Sequence, residues 1–508
     1  MNPLLLTDGY KLDHRSQYPK GTQKVFSNLT ARGSRVKDIK KTVFFGLQGF
    51  LKKMNREFQA NFFSRSKGEV LVEYQRIMNS YGSSISIDHI GQLHDLQYLP
   101  LNIRALPEGT QVPLRVPYFT IENTLPEFFW LVNYLETYIS CELWKPITSA
   151  TTAFEYRKLL TKYAEETGDV SFVPFQGHDF SFRGMSSIGD ALLSGSGHLL
   201  SFVGSDTIPA ISYLEDNYFT DADHELIACS VPATEHSVMC AGIAVEGEEA
   251  TFKRLITEIY PAGIVSIVSD TMNLWDVLTK FMPNLKDEIM ARNGKVVIRP
   301  DSGDPVDIIC GKPHLYQNGK YYQQAPREQI TNGSNYYTDL ISEPEAKGVI
   351  ELLWDTFGGT VNDKGYKVLD SHVGAIYGDS ITLERAEQIC ERLKAKGFAS
   401  TNIVFGIGSY TYEYVTRDTF MMAVKATACK VNDVEYEIFK NPITDSGMKK
   451  SAKGYLQVVK DENGELTLKD QIPYADIDKG ELVSVYKDGK LVRSRLQTLF
   501  SIRQRLIS

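Results

Sequence analysis

The chain has 508 residues, 42% of them apolar and 23% charged, a length that implies two domains and a composition ordinary for a globular protein. A net charge of −8 argues against nucleic acid as the main partner, and no apolar run is long enough to span a bilayer. Six cysteines (Cys141, Cys229, Cys240, Cys310, Cys390, Cys429) include no C-x-x-C pair, which argues against a disulfide framework or zinc site and favours a reducing compartment.

The opening MNPLLLTDGYKLDH carries only three consecutive leucines and no basic leader, so no signal peptide or anchor is expected, and the expected location is cytoplasmic. TQKVFSNLTARG (22–33) reads as a strand and TLPEFFWLVNYLETYISCELW (124–144) as helical. From residue 171 the pattern changes to apolar runs that end in polar or glycine-rich corners. They are SFVPFQGHDF (171–180), HLLSFVGSDT (198–207), LIACSVPATEH (226–236), GIVSIVSDT (263–271), KVVIRPDSG (295–303), HVGAIYGDS (372–380) and NIVFGIGS (402–409). Amphipathic stretches separate them. Residues 271–294 place Leu274, Val277, Leu278, Phe281, Met282 and Leu285 on one helical face, and 382–397 can start on Thr382 and stop at Gly397.

Strand-helix units of about thirty residues imply a parallel sheet with helices outside it. Seven such units with polar C-terminal corners favour a β/α barrel whose reacting groups sit at that end. A doubly wound open sheet is the second choice. The segment 311–337 reads as an inserted hairpin, Leu315 to Tyr322, turning at Asn318-Gly319. Beyond 418 the chain is hairpin material, with turns at Asn463-Gly464 and Asp488-Gly489. The expected fold is therefore α/β: an irregular β/α barrel (156–417) inserted in an α+β domain built from both chain ends (1–155 and 418–508).

The corners hold His178, Asp179, Phe180, Arg183, Asp206, His236, Asp270, Arg299, Asp301, Asp379 and Arg417. So many charges at one barrel mouth need a ligand, or one another, to compensate them. Arg183, Arg299 and Arg417 suit oxyanions. The aspartates suit Mg²⁺, ribose hydroxyls or a developing cation. FGIGS (405–409) offers backbone N–H groups to a phosphate. Together they imply a phosphorylated sugar with a leaving anion.

HDFSFRGMSS (178–187), GSDT (204–207), SVPATEHS (230–237), IVSDT (267–271), VIRPDSGDP (297–305), YGDSI (377–381) and VTRD (415–418) occur in that order. With TDGYKLDHRSQYPKGT (7–22) they closely resemble the nicotinamide phosphoribosyltransferases, of the type II phosphoribosyltransferase group, over almost the whole chain. The acidic pair before T-T-G of the type I enzymes is not found.

The resemblance implies transfer of a phosphoribosyl group from 5-phosphoribosyl 1-pyrophosphate to nicotinamide, with Mg²⁺, ATP as an activating co-substrate, and a head-to-tail homodimer with shared sites. It implies that Phe180 and a partner's Tyr10 stack on the pyridine ring, and that Asp206 selects the amide over the acid. It assigns Arg299 to the amide oxygen or ribose phosphate, Asp301 and Asp379 to ribose and metal, and Arg183 to the pyrophosphate and base edge. Ser266 joins the substrate-binding set; Gly378, Gly408, Ser409 and Arg417 would hold the 5-phosphate. His236, with Glu235 beside it, resembles a histidine phosphorylated by ATP; Arg32, Lys425, Lys440 and Lys449 would lie near phosphates. The metal is expected mainly on substrate phosphates, with Asp270 or Asp301 as protein ligands. Where the vertebrate form has a run of glycines, this chain reads GIGSY (406–410), which puts the phosphate contact of Ser409 in question. Alternatives are nicotinate as substrate and a sugar-phosphate lyase, which would want a Schiff-base lysine at a strand end; none of the corners carries one.

Overall fold

A computed structural model describes residues 1–82, 85–324, 337–378, 380–440 and 451–507. The chain forms two compact units, Met1–Thr151 with Ala210–Glu225 and Val415–Ser508, and Thr152–Pro209 with Leu226–Tyr414.

In the first unit both chain ends enter one antiparallel seven-stranded sheet. Thr22–Ala31 pairs on one side with Met422–Val431 and on the other with Pro117–Asn123. Leu101–Ala105 and the hairpin Val483–Lys487/Lys490–Leu491 continue it. That hairpin turns where expected, with Asp488 at φ 47° and Gly489 at φ 78°, the left-handed pair a two-residue turn requires. The division expected from sequence differs mainly in that Ala210–Glu225 packs in this unit; the second boundary also falls before Val415, so Arg417, expected at a barrel corner, belongs here as well. Burial and hydrogen bonding explain it. Tyr218, fully buried, donates to Glu108 Oε2 at 3.0 Å, and Gln48 Nε2 donates to the Asn217 carbonyl at 2.6 Å.

The second unit is built on a parallel six-stranded sheet in the spatial order Gly204–Ser205, Gly177–Asp179, Ile403–Ile407, Val373–Tyr377, Asn293–Arg299, Ala262–Val268. Val265, Val296 and Val373 lie side by side on three of these strands, all fully or almost fully buried. The two outer strands are then joined by residues 226–234. Ser205 N donates to the Cys229 carbonyl and Cys229 N to the Val203 carbonyl; Ser266 N donates to the Pro232 carbonyl and Thr234 N to that of Ser266. These bonds close the sheet into a barrel and dispose of the open-sheet alternative.

Two of the apolar runs pair less than their sequence suggests. In 171–180 only Gly177–Asp179 is strand, preceded by the helix Val173–Gln176, and in 198–207 only Gly204–Ser205 is. His198 ends the helix Ile188–His198, and its buried ring bonds Tyr412 OH at 2.7 Å and the Gly204 carbonyl at 2.9 Å, so the apolar residues after it pack rather than pair. The expected helix over 382–397 runs Leu383–Ala395, with Thr382 Oγ1 accepting from Arg385 N and Gly397 at φ 75° after its end. Residues 271–294 form several short helical segments from Leu274 to Met290 that bury Leu274, Val277, Leu278, Met282 and Leu285, while Phe281 is only half-buried. The surface hairpin is His314–Gln317 with Lys320–Gln324, and Tyr337–Ile341 adds a third strand. Residues 325–336 of the insertion lie outside the described residues.

Candidate active site

Because the barrel strands are parallel, their C-terminal corners gather at one mouth. A cavity of about 640 Å³ there is lined by Phe180, Arg183, Asp206, Glu235, His236, Arg299, Asp301, Gly378, Gly408 and Ser409, all named from sequence. Six separate stretches of chain supply them, braced by bonds that sequence alone did not reveal.

Phe180 follows directly on its strand, and its N–H donates to the Ile407 carbonyl at 3.0 Å, so the ring leaves the barrel edge over the cavity. Asp179, counted among the corner charges, does not serve the mouth. It is fully buried, its Oδ1 accepting from Ser181 N at 2.9 Å and its Oδ2 from Thr207 Oγ1 at 2.7 Å, which ties two corner loops together. Asp206 N in turn donates to the Asp179 carbonyl. Burial by itself would raise the Asp206 carboxyl, but hydrogen bonds from His178 and Ser230 and the nearby His178 and Arg299 charges outweigh it, and the group is held below its usual value.

Thr234 pins the next corner. Its Oγ1 accepts from Val268 N at 2.9 Å, and its carbonyl accepts from the Arg299 guanidinium. Burial lowers the pKa of Arg299, offset in part by Asp301, Asp206 and Asp270. Glu235 and His236 follow, His236 opening the helix His236–Glu246 and Glu235 accepting from the Ser237 hydroxyl. The imidazole lies 3.3 Å by Nδ1 from Thr271 Oγ1, and by Nε2 3.9 Å from both Asp270 Oδ1 and Asp301 Oδ2. Asp270 Oδ2 accepts from Asp301 N at 2.9 Å and Ser302 Oγ at 2.6 Å, while its Oδ1 is buried without a hydrogen-bond partner among the described residues. The corner IRPDSGD at the end of this apolar strand is thus a bonded brace that presents charge at the mouth.

Two glycines leave room for neighbouring side chains. A Cβ on Gly378 would come within 2.6 Å of Asp301 Oδ1, and one on Gly184 within 2.2 Å of Ser409 Oγ. Ser409 thus packs beside Gly184 at the cavity edge, and Tyr410 lies against Tyr414 with ring centroids 4.8 Å apart and planes tilted by 38°. The hydroxyl and ring that stand in place of bare glycine backbone have their own neighbours.

Ser266 is placed differently from the other substrate-binding candidates. It lines a second cavity, about 250 Å³, inside the barrel, and its buried Oγ has no partner among the described residues. Phe180, Asp206 and Arg299 border both cavities, so the two adjoin. Tyr10, Arg32, Arg417, Lys425 and Lys440 belong to the first unit. There Tyr10 is 65% exposed beside a shallow cavity of about 380 Å³ that Lys11, His14 and Glu136 also line. Arg32 Nε donates to the Met421 carbonyl, Arg417 bonds Asp418, and burial lowers the pKa of Lys425 against the pull of Glu136. Asp379 and Lys449 lie outside the described residues. Sequence reasoning did not single out Ser230, Thr234 or Gly184, although all three lie inside or directly beside the motifs quoted above.

Among the described residues no group of three or more His, Cys, Asp or Glu side chains is gathered to hold a metal, and no helix is long and apolar enough to cross a membrane. The donor chemistry still fits a hard cation held largely by its ligand's own oxygens, since Asp270 Oδ1 and Asp301 Oδ2 each lie 3.9 Å from His236 Nε2 and Asp270 Oδ1 is buried without a hydrogen-bond partner among the described residues.

Residues 175–481 match the nicotinate phosphoribosyltransferase (NAPRTase) family, and residues 2–87 match the nicotinamide phosphoribosyltransferase N-terminal domain. A nicotinamide phosphoribosyltransferase of Acinetobacter baylyi is 51% identical over 521 residues, covering 100% of this chain and 97% of the relative. This chain belongs to the nicotinamide phosphoribosyltransferase family. Another member, from Mycoplasma pneumoniae, is 38% identical over 87% of this chain and 92% of its own. Among solved structures, a nicotinate-nucleotide pyrophosphorylase from Pyrococcus furiosus superposes with a TM-score of 0.55 at 14% identity, covering 100% of this chain and 94% of that one. Human nicotinic acid phosphoribosyltransferase gives 0.54 at 14% identity over 99% and 93%. These two establish the fold; the family rests on the sequence relatives.

Proposed function

We propose that this member of the nicotinamide phosphoribosyltransferase family transfers the phosphoribosyl group of 5-phosphoribosyl 1-pyrophosphate to nicotinamide, forming nicotinamide mononucleotide and pyrophosphate in NAD salvage. One observation carries the reading: an aromatic ring, an ionised carboxylate, a half-buried guanidinium and an imidazole between two carboxylates line a single cavity. In the reaction the bond from C1 to pyrophosphate breaks with its electron pair leaving on oxygen, and the pyridine nitrogen lone pair forms the new bond. The ribosyl carbon passes through a cation-like state that Asp301 is placed to stabilise. Phe180 supplies one face of the base slot. Asp206 accepts from the amide NH₂ and repels a carboxylate, which favours nicotinamide over nicotinate. Asp270 or Asp301 would hold Mg²⁺ arriving with the substrate phosphates, and the ion would supply positive charge against the departing pyrophosphate.

ATP coupling is part of the same proposal. With Nδ1 bonded to Thr271, Nε2 of His236 attacks the terminal phosphorus of ATP; the P–N bond forms as the P–O bond to ADP breaks. A homodimer in which Tyr10 and Arg32 of one copy complete the other's site would add the second stacking ring and a further cation; Lys425 and Lys440 would serve phosphates. The free cysteines suit a cytoplasmic enzyme.

Purified protein incubated with nicotinamide, 5-phosphoribosyl 1-pyrophosphate and Mg²⁺ is expected to yield the mononucleotide, faster with ATP than without. No product under either condition overturns the reading. Faster turnover of nicotinate than of nicotinamide would transfer it to the acid-using relatives.

A further inference from the structure

Two bonds converge on one oxygen of Asp206. His178 Nε2 lies 2.9 Å and Ser230 Oγ 2.6 Å from Asp206 Oδ1. The backbone of Asp206 is held as well, its N–H donating to the Asp179 carbonyl at 2.9 Å. With Oδ1 taken twice, the carboxylate cannot rotate without breaking both bonds, and Oδ2 is the oxygen left for a ligand. His178 is buried and also lies against Phe180, ring centroids 4.5 Å apart. One imidazole therefore abuts both the stacking ring and the charge that reads the substituent on the base.

We infer that Ser230 and His178 are positioning residues for base selection: they aim Asp206 Oδ2 at the amide of nicotinamide and keep Oδ1 from turning to meet a substrate carboxylate. This rests on the function proposed above and deepens it. Neither residue touches the reacting carbon; each acts through Asp206. The chemistry follows from the acceptors. A free carboxylate can turn either oxygen to the amide, and it can also be shielded by water or become protonated, which would let it donate to nicotinate. A carboxylate that accepts from two protein donors stays ionised and keeps one direction. The preference for amide over acid then depends on the two donors that hold the carboxylate.

The test measures kcat and KM for nicotinamide and for nicotinate, at one pH, on the full-length wild type and on Ser230→Ala, Ser230→Thr, His178→Gln and His178→Ala. Ser230→Ala is expected to raise the nicotinamide KM about tenfold, as the loss of one hydrogen bond to a charged group does, with a much smaller change in kcat. The amide-to-acid ratio of kcat/KM should fall by a similar factor. Ser230→Thr, which keeps the hydroxyl, and His178→Gln, which keeps an N–H donor, should recover most of that ratio where the alanine variants do not. A residue that served stability alone would lower both substrates' rates together and leave the ratio unmoved. Folded Ser230→Ala with a ratio within about twofold of wild type overturns the inference while the proposed activity stands. Should His178→Ala not fold, Ser230→Ala decides the matter. A wild type that turns over neither base removes the proposed function, and the inference with it.

Discussion

His236 Nε2 and Asp270 Oδ1 face each other at 3.9 Å, and that carboxylate oxygen is buried without a hydrogen-bond partner among the described residues. An unsatisfied buried oxygen is costly, so the pair is poised to gain when the imidazole is charged or a cation arrives. His236→Ala should abolish phosphate transfer from ATP to the protein and the ATP stimulation of product formation, leaving a slower ATP-independent rate. Asp270→Asn should cut phosphorylation about tenfold or more while the imidazole remains. Labelled ATP followed by acid-labile and base-stable counting reads both, and undiminished label in His236→Ala would assign the acceptor elsewhere.

Asp206→Asn is expected to lower kcat/KM for nicotinamide by about 10- to 100-fold, since a charge-assisted bond becomes a neutral one in a confined slot. Activity toward nicotinate should rise or fall far less, because repulsion is relieved. An unchanged amide preference would show that another group reads the substituent.

The pH dependence of stability offers an independent check on the same carboxyl. Its folded pKa lies below the usual value, despite burial acting the other way, because of the His178 and Ser230 bonds. A depressed carboxyl contributes stability above its unfolded pKa, about 3.9, and loses it as pH falls through the lower folded value. The difference in urea midpoint between wild type and Asp206→Asn should therefore be constant near neutrality and shrink below about pH 4. A difference that widens on acidification has the wrong sign for this assignment.

Gly378→Ala tests the tight approach of the sixth corner. The added methyl would sit 2.6 Å from Asp301 Oδ1, so the carboxylate has to move. kcat/KM for the phosphoribosyl donor should drop roughly tenfold or more with little change in thermal midpoint. Equal loss of stability and activity would instead mark a structural glycine.

Complementation tests the shared site. Tyr10→Ala and Phe180→Ala proteins, each weakened alone, should on subunit exchange regain about a quarter of wild-type activity, because half the sites of half the dimers are then intact. Proven exchange without recovery would place each site within one copy.

Much of this was legible before any coordinates. Apolar runs with polar ends marked the barrel strands, and the left-handed turn residues Asp488 and Gly489 marked a hairpin, because both signals are local. A barrel was expected, but how it closes was not legible, since residues 226–234 join their neighbours by scattered bonds and include Pro232, which has no N–H to donate. Asp179 looked like a mouth residue because sequence shows a charge but not that Ser181 and Thr207 already use it. The pairing of His178 with Asp206 spans 28 residues and had no local signature. The placement of Ala210–Glu225 was missed for a related reason: Tyr218 finds Glu108, 110 residues away.

The stretch that closes the barrel has a consequence of its own. Ser230, bonded to the base-reading carboxylate, and His236, the proposed phosphoryl acceptor, stand six positions apart on the stave that owes least to regular ladder pairing. Thr234 lies between them, anchored to Val268 and Arg299. If the proposed roles hold, recognition of the acceptor and energising of the donor share one short mechanical link, and a shift of that link would be felt at both ends of the reaction at once.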